Sequence, residues 1–307
     1  MYQVKRHSTS HFVPLRGHHY HVREWGNPQS SLPPVVLAHG WMDVAASWQF
    51  MVESLTETFF NNRRILAADW RGYGLTTGPA TDSYWLPDYL GDLDALLRHL
   101  CPDQPIDLVG HSMGGNVVMM YAGVRPARIR RLVNLEGFGM PQTVPAMAPK
   151  RYAQWLDELQ ALDQGELNFK PYADLEGVAK RLQKTNPRLR LDHAQFLAHH
   201  WAQPTHEGQW ELLGHPAHKL VNPNLYQVEE MLALYRSITA PTLCVLAEDN
   251  EMRTWWKGRY TLDEFKTRIA QVPNLQTLSL PDCGHMLHHD QPQALAQALS
   301  QFLYTDA

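Results

Sequence analysis

Cysteine is scarce in this 307-residue sequence: Cys101, Cys244 and Cys283 are the whole supply, and none forms a Cys-x-x-Cys pair. An odd, scattered set argues against a disulfide framework and for reduced thiols, which sets the expectation of a cytoplasmic protein. An excess of either charge is missing too. The 27 Lys and Arg against 31 Asp and Glu leave a formal charge of −4, which gives no broad basic field for a nucleic-acid backbone. Two short basic clusters, Arg128, Arg130 and Arg131 and then Arg181, Lys184, Arg188 and Arg190, are interleaved with Leu, Ile or Val and read as solvated faces of helices or strand ends. No apolar run approaches the length that spans a bilayer. Residues 1–10 are polar and lack the apolar segment of a signal peptide. Internal repeats and low-complexity segments are absent as well. What is left is an ordinary globular composition, 44% apolar and 19% charged, in a chain long enough for one large domain or a core with an insertion.

Short apolar runs at 34–38, 64–68, 106–109 and 132–135 alternate with longer helical patterns, the arrangement of βαβ units around a parallel sheet. Leu90, Leu93, Leu97 and Leu100 recur at helical spacing between the second and third runs and predict a crossover helix. Before the runs, residues 12–25 mix polar and apolar side chains as an antiparallel hairpin at a sheet edge does. The strand signal returns at 241–246 and 275–280, and a last helix covers 294–303. Between them, 140–236 carries helical patterns and many His and Trp but no clear strand. The expected division is a core in two parts, 1–139 and 238–307, with a helical cap at 140–237.

Chemistry concentrates at Gly110-His111-Ser112-Met113-Gly114-Gly115, which matches G-x-S-x-G between a predicted strand and a predicted helix. A serine exposed on so tight a turn needs glycine two residues to either side, because a Cβ there would meet neighbouring backbone. The helix that follows turns its N-terminus toward developing negative charge. Serine is a weak nucleophile without a base, and the base is expected late in the chain. Past the last strand comes Pro281-Asp282-Cys283-Gly284-His285, so His285 is the choice. His288 and His289 read as an exposed turn of the closing helix. His193, His199, His200, His206, His215 and His218 of the cap form no H-x-x-x-H with a nearby carboxylate, so no metal and no cofactor are implied.

Taken together these motifs resemble the α/β-hydrolase superfamily, in its capped, haloalkane-dehalogenase-like branch. The resemblance rests on His39-Gly40-Trp41 after one strand, Asp69-Trp70-Arg71-Gly72-Tyr73-Gly74 after the next, the Ser112 elbow and Gly284-His285. The segment His39-Gly40-Trp41-Met42-Asp43 is also similar to that of animal serine hydrolase-like proteins and many bacterial esterases. It implies an α/β-hydrolase fold, a mostly parallel central sheet flanked by helices with an inserted helical cap. It also implies an oxyanion hole built from the backbone N–H groups of Met113 and Trp41. Dehalogenases and epoxide hydrolases carry Asp where this chain has Ser112, and dehalogenases follow it with a halide-binding Trp where this chain has Met113, which speaks against both chemistries. The usual position for the acid, three residues beyond Ala247, holds Asn250, which cannot balance an imidazolium by charge. Glu136, in Asn134-Leu135-Glu136-Gly137 directly after a strand, is the favoured acid, as in some dehalogenase-like relatives, and Asp249 is the alternative. A lone carboxylate at the end of a buried strand is costly without a purpose.

Other residues are given supporting parts. Asp69 and Arg71 hold a loop, and Asp43 orders the oxyanion loop. Trp41 walls the acyl pocket or fills core, and Trp41 and His111 are the candidates for touching substrate. Trp155, Trp201, Trp210 and Tyr226 belong to the cap interior or to the pocket wall. The expected activity is carboxylesterase-like: a serine hydrolase cleaving a small carboxylic ester through an acyl-enzyme on Ser112. An acyltransferase, a lactonase, a C–C bond hydrolase or a slow-turnover ligand-binding protein could use the same residues. The expected partner is a small ester-like molecule, with no nucleic acid and no stable membrane association.

Overall fold

A computed structural model describes residues 2–304. Ten strands are present among the described residues: β1 (Thr9–Leu15), β2 (His18–Gly26), β3 (Val35–Ala38), β4 (Arg64–Ala68), β5 (Ile106–His111), β6 (Ile129–Leu135), β7 (Ala202–Pro204), β8 (Trp210–Leu212), β9 (Thr242–Ala247) and β10 (Leu275–Leu280). Eight of them form one sheet in the order β1-β2-β4-β3-β5-β6-β9-β10. The β1–β2 hairpin is antiparallel and pairs antiparallel with β4, whereas every pairing from β4 to β10 is parallel. This is the α/β fold with a mostly parallel sheet that the strand and helix patterns predict.

Strands β3, β5 and β9 are buried along their whole length, because helices cover both faces of a parallel sheet. The helices are α1 (Gln49–Glu53), α2 (Glu57–Asn62), α3 (Leu86–Leu100), α4 (Met113–Val124), α5 (Ala148–Asp163), α6 (Leu175–Thr185), α7 (Leu191–Trp201), α8 (Val228–Arg236), α9 (Met252–Trp256), α10 (Leu262–Ile269), α11 (Leu287–Asp290) and α12 (Pro292–Tyr304). Successive strand residues point to opposite faces, so Val36, Leu108 and Cys244 join Leu97, Val118 and Phe265 in one core. Val35, Val109 and Val245 join Met51, Phe59 and Leu299 in the other. Among the described residues no helix is long and apolar enough to cross a membrane.

Three local expectations change. The segment 140–236 holds the short hairpin β7–β8, closed by Thr205 N–H to Gln209 O at 2.8 Å with Gly208 at φ 76°. Three-residue strands are too short to leave an alternating pattern. Helix α8 lies inside the cap by sequence division, yet Met231 and Tyr235 pack in the same core as α4. The basic cluster near 130 is not a solvated face: Arg130 pairs with buried Asp107 at 2.6 Å, and buried Arg131 lies 5.3 Å from the Phe302 ring.

Candidate active site

Strand β5 delivers the chain to Ser112, whose backbone sits at φ 54° and ψ −116°, and α4 starts at the next residue. That left-handed conformation is strained for a residue with a side chain and persists only where its surroundings enforce it. The enforcement is steric. A Cβ on Gly110 would lie 2.4 Å from Gly114 O, and one on Gly114 would lie 2.3 Å from Ala38 O. Strand β3 therefore presses directly under the first turn of α4. A Gly114→Ala variant is expected to lose at least about 1–3 kcal/mol of stability through this overlap, read as a fall in Tm.

The bend aims the Ser112 hydroxyl at the other end of the chain. Ser112 Oγ lies 2.9 Å from His285 Nε2, and His285 Nδ1 lies 3.3 Å from Glu136 Oε2. Glu136, too, has a left-handed backbone, φ 56°, and its other carboxylate oxygen accepts from Ala247 N–H at 2.7 Å. The end of β6 thus supplies the carboxylate while the end of β9 anchors it. Burial opposes charge on both partners: it lowers His285 to about 4 and pushes Glu136 up to about 8. A neutral imidazole is the form that can take a proton from a serine.

The loop after β3 passes beside the hydroxyl, since a Cβ on Gly40 would be 3.2 Å from Ser112 Cβ. His39 fixes how that loop turns. Its Nε2 accepts from Trp70 N–H at 2.9 Å, so Nδ1 carries the proton and donates to Gly40 O at 2.8 Å. In a trans peptide the N–H points opposite to its carbonyl, so drawing Gly40 O back toward His39 turns the Trp41 N–H the other way.

Residues 33–292 match the family described as alpha/beta hydrolase fold. The chain belongs to the α/β-hydrolase fold family. This α/β-hydrolase is 24% identical over 305 residues to a serine hydrolase-like protein of Danio rerio, an alignment covering 98% of the chain and 90% of the relative. It is 26% identical over 309 residues to bifunctional epoxide hydrolase 2 of Sus scrofa, covering 90% of the chain but 52% of that protein. Among solved structures, the thioesterase domain from the curacin biosynthetic pathway superposes with a TM-score of 0.81 at 23% identity, covering 96% of this chain and 99% of that one. That last likeness is one of fold. Hydrolase activity is what these relationships support, and they span more than one kind of bond.

Other expected site residues of the hydrolase fall as follows. Asp249, the alternative acid, is 57% exposed and pairs with Arg188 at 2.5 Å instead of His285. Asp43 Oδ1 accepts from Val44 N–H at 2.8 Å and from the Ser47 hydroxyl. Asp69 accepts from Ala45 N–H at 2.7 Å and Leu75 N–H at 2.9 Å, and Arg71 pairs with Asp92. Trp41 is 53% exposed and fills no core; its Nε1–H donates to His218 O of the cap at 3.2 Å. The His218 ring is in turn stacked between Tyr73 and Tyr84 at 3.8 and 3.7 Å. Of the cap aromatics, Trp201 and Trp210 pack in the cap's own hydrophobic cluster and Tyr226 against the main core.

Two expectations are corrected here. His111, a candidate substrate contact, is 1% exposed and has no surface to offer one. Instead its Nε2–H donates to His285 O at 2.8 Å, so it carries the backbone of the base. His288 and His289 are not exposed: α11 tucks them under α1, with His288 4.8 Å from the Trp48 ring and His289 5.8 Å from Phe50. Burial lowers His111 to about 3 and both neighbours well below the ordinary imidazole value.

Sequence reasoning missed Trp255, whose ring meets that of His285 edge-on at 4.5 Å. The signal was the Trp255-Trp256 pair shortly after β9. A concavity of about 920 Å3 lined by Lys5, Arg6, Glu24, Glu57 and Arg64 involves none of the Ser112 cluster. Arg6 there pairs with Glu57 and Arg64 with Glu24.

Proposed function

We propose that the protein is a serine hydrolase that cleaves small carboxylic esters, or related acyl compounds, through an acyl-enzyme on Ser112. One observation carries this reading: the unbroken row of Ser112 Oγ, the His285 ring and the Glu136 carboxylate, at 2.9 and 3.3 Å. His285 Nε2 takes the hydroxyl proton as Oγ attacks the carbonyl carbon, and the Met113 and Trp41 N–H groups receive the oxyanion. Glu136 faces the Nδ1–H of the imidazolium that forms. His285 then gives its proton to the departing alkoxide, which leaves as the alcohol. Water, deprotonated by the same nitrogen, attacks the acyl carbon, and the proton returns to Ser112 as the acid departs. A serine where epoxide hydrolases and dehalogenases carry Asp supports acyl chemistry, as does the likeness to the serine hydrolase-like protein of Danio rerio.

The test is labelling by a fluorophosphonate together with a panel of short- and long-chain nitrophenyl esters. The expected result is one covalent adduct on Ser112 and turnover of the short esters. If folded protein leaves Ser112 unmodified, the reading is wrong. Added alcohol that appears in the product as a new ester would shift the assignment to acyl transfer.

The pH profile follows from the acid. Burial pushes Glu136 up to about 8, so its carboxylate is lost as the pH falls through that value, and with it the charge that balances the imidazolium. Accordingly kcat/KM is expected to rise as the pH is taken up through about 8, and the limb near 8 is expected to vanish in Glu136→Gln. A profile with the same limb in both proteins excludes Glu136 as its source.

A further inference from the structure

Behind the Ser112–His285 row lies a group of side chains that the reaction leaves unused. Asp43 on the loop after β3, His111 at the end of β5 and His288 on α11 are 2%, 1% and 0% exposed. Their nearest ligand atoms all lie within 4.8 Å of one another. Asp43 Oδ2, His111 Nδ1 and both nitrogens of His288 have no hydrogen-bond partner among the described residues. Asp43 Oδ2 and His288 Nε2 are 3.7 Å apart, beyond a normal hydrogen bond. Buried polar atoms are almost always paired, so several orphans converging on one point need an explanation.

We propose that Asp43, His111 and His288 bind one divalent transition-metal ion of the zinc or cobalt type. Two imidazole nitrogens and one carboxylate oxygen form a donor set such ions accept. Ligand bonds of about 2.0–2.2 Å in tetrahedral geometry put donors about 3.3–3.6 Å apart, so the Asp43–His288 pair at 3.7 Å is nearly in place and a pair at the 4.8 Å limit of the group would have to close by about 1 Å. The outer partners are in place. His285 O can only accept, so His111 Nε2 bears the proton and Nδ1 presents a lone pair to the cluster. Asp43 Oδ1 is held by Val44 N–H and Ser47, which leaves Oδ2 for the ion. The Trp48 ring, 4.8 Å from His288, supplies an apolar wall. Such an ion would tie α11 to the ends of β3 and β5, the three places from which the reactive loops spring.

The test reads binding, not turnover, so it stands apart from the proposed reaction. Chelator-treated protein given Zn2+ is expected to keep one equivalent per chain through gel filtration, by elemental analysis, and to melt at a higher temperature. Crystals of the same material are expected to give one anomalous peak at the zinc edge, between Asp43, His111 and His288. Asp43→Asn and His288→Gln are expected to weaken zinc binding at least tenfold, while His206→Ala on the exposed cap surface leaves it unchanged. No retained zinc, a peak elsewhere, or density without anomalous signal at that point, which is an ordered water, overturns the proposal. The anomalous map is read on the unaltered chain, so it decides the matter even if a buried variant fails to fold.

Discussion

Ser112→Ala is expected to lower kcat on every ester the protein hydrolyses by on the order of 10^5–10^6-fold, with little change in Tm. The variant keeps a Cβ on the same strained backbone at φ 54°, so the elbow and the N–H groups beside it stay where they are. What disappears is the Ser112 hydroxyl oxygen, 2.9 Å from His285 Nε2, that attacks the carbonyl. Residual acceleration over water, about 10^3–10^4-fold, is expected from the oxyanion donors and from binding alone. Circular dichroism and melting of the variant separate loss of chemistry from loss of fold. Activity within tenfold of the parent would mean that another group attacks, and the acyl-enzyme would have to be abandoned.

Glu136→Gln is expected to reduce kcat by about 10^4-fold, and Asp249→Asn by less than threefold. The glutamine amide can still accept from Ala247 N–H, as Glu136 does at 2.7 Å. Its NH2 then faces His285 Nδ1, which must become the acceptor, so the proton moves to Nε2 and points at the serine that needs a base. The Asp249 change touches an exposed ion pair with Arg188, of a kind worth at most about 1 kcal/mol. Steady-state kinetics on the two variants side by side distinguish the roles. The reverse ranking would move the acid to the loop after β9.

Much of this arrangement is written locally in the chain. Run 64–68 coincides with β4, a largely buried strand and so a short apolar block, and run 275–280 with β10, an edge strand in which Leu275, Leu278 and Leu280 are interspersed with exposed Gln276, Thr277 and Ser279. Ser112 and His285 were legible because each follows a strand, and the ends of parallel strands on one side of a sheet converge. Strand position alone left Glu136 and Asp249 both open, since each follows one, and the family resemblance favoured Glu136. The rest depended on tertiary packing. Nothing in His288-His289 announces that α11 lies under Trp48 and Phe50, since two adjacent polar residues look solvated until a neighbour covers them. Arg131 likewise reads as surface until the Phe302 ring is found beside it. Helix α8 falls within the cap by sequence and packs with the core in space, a choice that an amphipathic pattern alone leaves open.

Among the described residues, the hydrogen bonds made by the side chains of Ser112, His285 and Glu136 run only among themselves and to Ala247. None comes from residues 140–237. The overhanging helices can therefore change, and with them what molecule is admitted, while the hydrogen bonds of the reactive trio stay as they are; one tie between cap and oxyanion loop is the Trp41 indole on His218 O.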